Sequence, residues 1–133
     1  MAKVMVFGVF DGVHEGHRAL FREARKHGDY LIAVVAQDQM VEHLKGHLPK
    51  LNLGNRIEGL QKEELIDEVV LGDAELGSYE VVLKHRPDVI ALGYDQEIFM
   101  ESLKENLKKF DWRPEIKIMR SYMPEEYHSN LLG

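Results

Sequence analysis

Residues 8–17 decide the fold and read Gly8-Val9-Phe10-Asp11-Gly12-Val13-His14-Glu15-Gly16-His17. Residues 4–9, which overlap the first two residues of this stretch, form an apolar, β-branched run that is typical of a strand buried on both faces of a parallel sheet. After it, residues 16–26 alternate apolar and charged side chains at the spacing of an amphipathic helix. The stretch therefore predicts a strand, a glycine-containing turn and the first residues of a helix.

The same alternation continues along the chain. Further strands are predicted at residues 31–36, 68–71, 89–92 and 115–119, and helices at residues 38–44, 55–64, 78–85 and 98–110. This order predicts an α/β fold, a single doubly wound Rossmann-like domain over residues 1–133 with a parallel five-stranded sheet. In such sheets ligands bind beyond the carboxyl ends of the strands, where the strand order reverses.

Composition excludes several classes of function. The 133 residues include no cysteine, which excludes disulfides, thiolate catalysis and zinc ligation through sulfur. A formal net charge of -6 argues against a general nucleic-acid partner, because phosphate-backbone affinity depends on many Lys and Arg. Neither an apolar run of about 20 residues nor a signal-peptide pattern is visible, so we expect no membrane partner and a cytoplasmic location.

The histidine pair at the predicted helix start carries the chemistry. A helix start presents backbone N–H groups and the positive end of its dipole, which suits an anion. His14 and His17, three residues apart, lie on the same side of the first turn, and Gly16 between them has no Cβ to obstruct a ligand. We predict that both imidazoles and the nearby amides bind one phosphate chain.

These residues resemble a known signature. Residues 8–17 look like the GxFDxxHxGH motif of the cytidylyltransferase-like nucleotidyltransferases. Within that superfamily, Asp38-Gln39, Lys45-Gly46, residues 92–96 and residues 126–129 are similar to the archaeal FAD synthases, which adenylylate FMN. The resemblance implies transfer of AMP from ATP to a phosphate-bearing small molecule, with release of pyrophosphate.

The resemblance also implies a set of site residues. The catalytic residues are His14, His17 and Lys45; the nucleotide-binding residues are Gly8, Val9, Phe10, His14, Gly16, His17, Gly93, Asp95 and Tyr122; the acceptor-binding residues are His128 and Ser129. Mg²⁺ or another divalent cation is expected with ATP, because it neutralises leaving-group charge, and the sequence offers no carboxylate cage for it. Asp11 is expected to organise the turn, with assistance to a metal as the alternative. Arg56 is expected to be a solvated helix residue, with a phosphate contact from its helix start as the alternative.

Two departures from the motif keep alternatives open. Position 9 is Val where family members commonly have Thr, and position 15 is Glu where Pro is usual, which places a carboxylate near a polyanion. One alternative is a cytidylyltransferase acting on glycerol phosphate or a sugar phosphate, although its Arg-Thr-x-Gly-Ile-Ser-Thr-Thr segment is absent. Another is a non-catalytic nucleotide-binding module. A dehydrogenase is disfavoured because no Gly-x-Gly-x-x-Gly follows the strand. Apolar residues near the C-terminus are compatible with a homodimer.

Overall fold

A computed structural model describes residues 2–74, 78–93 and 96–119, without the side chains of Leu44 and of residues 97–99. The predicted residues Asp95, Tyr122, His128 and Ser129 lie outside this part of the chain. Within it, no helix is both long and apolar enough to cross a bilayer.

Five parallel strands form one sheet. They are β1 (Lys3–Gly8), β2 (Tyr30–Val35), β3 (Glu68–Leu71), β4 (Val89–Gly93) and β5 (Glu115–Met119). Their order is β3-β2-β1-β4-β5, and every pair of neighbours runs parallel. The predicted five-stranded, doubly wound α/β fold is therefore confirmed. The order reverses between β1 and β4, so their carboxyl ends form the edge where a ligand is expected.

Helices connect the strands and cover both faces. They are α1 (Glu15–Arg25), α2 (Asp38–Lys45), α3 (Leu53–Gln61), α4 (Glu80–His85) and α5 (Glu97–Asn106), and a short 3-10 helix, Leu107–Lys109, follows α5. Lys45 is the last residue of α2, one residue beyond the predicted end of that helix at residue 44. Gly46 ends that helix with a φ of 80°, a left-handed conformation that glycine adopts without steric cost.

The core has two layers because successive strand residues point to opposite faces of the sheet. Val4 and Val6 of β1 pack in one layer with Phe21 of α1 and Leu60 of α3. Met5 lies in the other layer, whose further buried members are Ile32, Val34, Tyr79, Val81, Val82, Ile90, Leu92, Leu103 and Phe110. Burial on both faces explains why the central strands read as continuous apolar runs.

Candidate active site at the carboxyl ends of β1 and β4

The turn after β1 has an unusual backbone. Phe10 has a φ of 54°, in the left-handed region that a bulky residue seldom adopts, and Gly12 has a φ of 96°. The Phe10 ring folds back over Gly8, where a Cβ would stand 2.8 Å from Phe10 Cζ. The ring also contacts the edge of the His17 imidazole, with a centroid distance of 5.3 Å. The Gly-x-Phe spacing therefore lets the Phe10 ring pack over Gly8 and against His17, and this packing orients the His17 imidazole.

His14 and His17 cap α1 reciprocally. The amides of Gly16 and His17 donate to Nδ1 of His14 at 3.0 and 3.4 Å, and the amide of His14 donates to Nδ1 of His17 at 3.2 Å. The two rings stack with their centroids 3.9 Å apart and their planes 20° apart. The arrangement matches a capping box, with imidazoles in place of the usual hydroxyl and carboxylate.

This capping fixes the tautomer of both rings. A backbone N–H can only donate, so each Nδ1 is an acceptor and the proton of each neutral ring is on Nε2. Burial, and then the charge of Arg18, lower the pKa of His14, an effect that Glu15 partly opposes. Both influences favour the neutral ring. The pair is therefore a rigid, stacked unit with two Nε2–H donors.

The same capping changes the role of the helix-start amides. We predicted that these N–H groups bind the phosphate chain directly. The amides of His14, Gly16 and His17 instead donate to the two imidazoles. These three amides therefore already have acceptors in the protein, and a direct contact between them and a phosphate chain stays a prediction.

Asp11 fastens a second loop to this turn. Its two carboxylate oxygens accept from the amides of Lys50 and Leu51 at 2.7 and 2.8 Å. Lys50 and Leu51 belong to the segment that joins the end of α2, at Lys45, to the start of α3. Asp11 thus has the predicted architectural role, and both of its oxygens have hydrogen bonds from the protein.

Arg56 is buried, which contradicts the expected solvated position. Arg56 is 1% exposed, and its guanidinium Nη1 donates to the carbonyls of Val9 and Ala36 at 2.9 and 2.8 Å. Nε donates to the carbonyl of Leu51 at 3.2 Å, and Nη2 pairs with Asp38. One side chain therefore joins the segments that follow β1 and β2 to the segment that precedes α3. Planar, five-donor geometry makes arginine suited to this task.

The sequence offered one signal for the burial of Arg56. It lies four residues before the buried Leu60 on α3, so both residues share one face of that helix. An arginine on an apolar face whose neighbours are core residues indicates buried acceptors. The pattern says nothing about which carbonyls those are, because they come from three separate segments.

The two motif departures have local explanations. The side chain of Val9 is buried at 1% exposure, where a hydroxyl would need a partner of its own. The side chain of Glu15 is 58% exposed and pairs with Arg18 at 2.7 Å. Arg18 also pairs with Glu63 at 3.0 Å, so its guanidinium offsets only part of the repulsion that Glu15 would exert on a polyanion.

The sheet brings together some of the predicted residues. Gly8 and Gly93 end the adjacent strands β1 and β4, on the edge that also carries His14 and His17. Phe10 and Val9 are buried there, so any contact they make with a nucleotide is through the main chain. Their roles as ligand contacts stay predictions.

No group of three or more His, Asp or Glu that could hold a metal ion occurs among the residues with described positions. Asp11, the acidic residue of the motif, already accepts two backbone amides. The described residues therefore provide no preformed cluster of ligands for a metal ion.

Comparison with known proteins shows the family of this chain. The chain belongs to the cytidylyltransferase-like family, whose model matches residues 5–131. Among its relatives, a protein of Thermococcus sibiricus named FAD synthase is 40% identical over 114 residues, which cover 86% of this chain and 77% of the relative. The FAD synthase of Ferroglobus placidus is 39% identical over 122 residues, with 91% and 78% covered.

A solved structure shows the same fold. The lipopolysaccharide core biosynthesis protein of Thermoplasma volcanium is 31% identical, with a TM-score of 0.85 over 92% of this chain and 99% of that chain. A protein of unknown function from Archaeoglobus fulgidus, at 20% identity and a TM-score of 0.71, shares the fold.

Proposed function

We propose that this protein is an adenylyltransferase that transfers AMP from ATP to FMN and so makes FAD and pyrophosphate. The observation that carries the proposal is the stacked pair His14–His17, with both Nδ1 atoms accepting main-chain N–H groups. The relatives named FAD synthase, about 40% identical over most of the chain, support FMN as the acceptor.

The reaction needs position and charge stabilisation rather than a protein nucleophile. An oxygen of the FMN phosphate attacks the α-phosphorus of ATP. The bond from that phosphorus to the oxygen bridging the α- and β-phosphates breaks, and its electrons leave with pyrophosphate. The Nε2–H groups of His14 and His17 donate to the triphosphate oxygens, where negative charge grows during the transfer.

Neutral imidazoles suit this task. A proton on Nδ1 of His14 would remove the acceptor for the Gly16 and His17 amides, so charging the ring costs the cap of α1. The donors are thus held in place before the substrate binds, and preorganised donors stabilise a transition state without reorganisation.

A divalent cation would come bound to the triphosphate and would supply charge neutralisation for the departing pyrophosphate. Triphosphates bind Mg²⁺ through their own oxygens, and the described residues provide no cluster of ligands to hold it beforehand. Lys45, at the end of α2, is proposed as an additional positive charge for the same phosphates. Cytoplasmic location and a homodimer stay predictions.

A substrate panel tests the proposal. The purified protein is incubated with Mg²⁺, either ATP or CTP, and one of three acceptors: FMN, glycerol phosphate or a hexose phosphate. Pyrophosphate release is followed together with the chromatographic appearance of FAD. We expect FAD from ATP and FMN. ATP binding without pyrophosphate would indicate the non-catalytic module, and turnover of CTP with a polyol or sugar phosphate would indicate the cytidylyltransferase.

Alanine variants test the site. We expect His14→Ala and His17→Ala each to lower kcat by about a hundredfold or more, the usual effect of losing one preorganised donor. His27→Ala is the matched control, because His27 lies beyond the opposite end of α1. Wild-type kcat in the double variant of His14 and His17 would refute the assignment.

A further inference from the structure

The two central strands separate at their carboxyl ends. Described pairing between β1 and β4 reaches Val6↔Ala91. Each strand continues for two more residues, to Gly8 and Gly93, while still paired with its outer neighbour, β2 or β5. The two strands therefore diverge here, at the point where the strand order reverses and a ligand crevice is expected, on the sheet edge that also carries the histidine pair.

The side chain of Gln96 bridges this crevice. Its Oε1 accepts from the amide of Gly93 at 2.9 Å, and its Nε2 donates to the carbonyl of Phe7 at 3.1 Å. Gln96 is only 5% exposed. The orientation of the amide follows from its partners, since the Gly93 N–H can only donate and the Phe7 carbonyl can only accept. If the amide were rotated so that its oxygen and nitrogen changed places, both hydrogen bonds would be lost.

The bridge works as a spacer between the two strands. In a regular parallel ladder one N–H···O bond joins neighbouring strands directly. Here two hydrogen bonds and the width of an amide group separate Phe7 from Gly93. The main-chain amide of Gln96 also donates to the Gly93 carbonyl at 3.0 Å. Both polar groups of Gly93 are therefore bonded to Gln96.

We propose that Gln96 is a positioning residue that sets the width of the nucleotide crevice through its amide. This inference rests on the proposed adenylyltransferase function. The histidine pair holds the triphosphate on the β1 side, and the rest of the nucleotide lies across the crevice toward Gly93. Because Gln96 acts on the strands and not on the reacting phosphates, its loss weakens ATP binding and leaves the rate of the bound complex close to that of the wild type.

A glutamate at this position provides a specific test. In Gln96→Glu the ionised carboxylate still accepts from Gly93 but has no hydrogen for Phe7, so the bridge is broken. The protonated carboxyl has one acceptor and one O–H, which reproduces the amide. Burial beside a carbonyl oxygen raises the pKa of such a carboxyl, so protonation occurs at an accessible pH.

The experiment measures the Kd for ATP by titration calorimetry, as the ratio of variant to wild type at each pH. For Gln96→Glu we expect a ratio of about ten or more near pH 8, falling to within about threefold near pH 5.5. Gln96→Met, which has neither polar group, is expected to keep its ratio at every pH. Gln61→Glu, the same change at an exposed residue of α3, is the matched control and should stay near one.

Thermal unfolding confirms that each variant is folded, and kcat at saturating ATP and FMN completes the test. A ratio near one for Gln96→Glu at high pH would overturn the inference. So would a ratio that does not fall on acidification, or a loss in kcat with Kd unchanged. Wild-type protein that binds ATP without turnover would instead count against the proposed function alone, because the Kd comparison does not depend on catalysis.

Discussion

The strongest structural prediction concerns the buried guanidinium of Arg56. We consider Arg56→Met, which keeps much of the aliphatic stem and removes every donor. The carbonyls of Val9, Ala36 and Leu51 and the carboxylate of Asp38 would each lose a partner. These acceptors belong to three segments around the candidate active site, so the effect should appear in both stability and nucleotide binding.

The magnitude follows from the surroundings of each acceptor. The hydrogen bond to Val9 is buried, so its orphaned carbonyl costs about 1–3 kcal/mol. The bonds to Ala36 and Leu51 are partly buried, and water partly replaces the donor, which leaves about 0.5–1.5 kcal/mol each. The Asp38 side chain is 39% exposed and stays hydrated, so its share is small. We expect a total loss of about 2–6 kcal/mol in the free energy of unfolding.

The assay is thermal and urea unfolding of matched variants. At about 4 °C per kcal/mol for a chain of this size, Arg56→Met should lower Tm by roughly 8–24 °C. Arg56→Lys should fall between this variant and the wild type, because a single ammonium group cannot reach acceptors that a planar fork spans. Arg22→Met, on the exposed face of α1, is the control and should change stability by less than about 0.5 kcal/mol. Equal Tm values for Arg56→Met and Arg22→Met would refute the reasoning.

Three further predictions concern the histidine cap and Asp11. His14→Asn keeps a capping oxygen but removes Nε2, so the free energy of unfolding should change by no more than about 1 kcal/mol while kcat falls about a hundredfold. A parallel loss of stability and kcat would contradict separate roles for the two ring nitrogens. The folded state lowers the pKa of His14, so the stability that the cap contributes is present above about pH 6.5 and is lost as the pH falls through the folded pKa. The free energy of unfolding of the wild type, measured relative to that of His14→Asn, should therefore decline on acidification. Asp11→Ala removes both acceptors of the Lys50 and Leu51 amides, and hydrogen exchange at those two amides should accelerate; unchanged protection would show that the loop is held by other contacts.

The sequence by itself determined the fold class and indicated where the candidate site lies. Continuous apolar runs such as residues 4–9 indicated strands buried on both faces, and their alternation with helical patterns indicated the parallel sheet. Local spacing also placed His14 and His17 at the first turn of α1. These features depend on short stretches of chain, so the periodicity of the residues is enough to reveal them.

Only the tertiary structure decided how the site is held together. The tautomer of the histidine pair depends on which ring nitrogen meets a main-chain amide, and that follows from the backbone conformation at the turn. Arg56 and Gln96 were not recognised as positioning residues, because their partners are carbonyls and amides far away in the sequence. Backbone groups are the same in every residue, so a sequence cannot show which of them a buried polar side chain will meet.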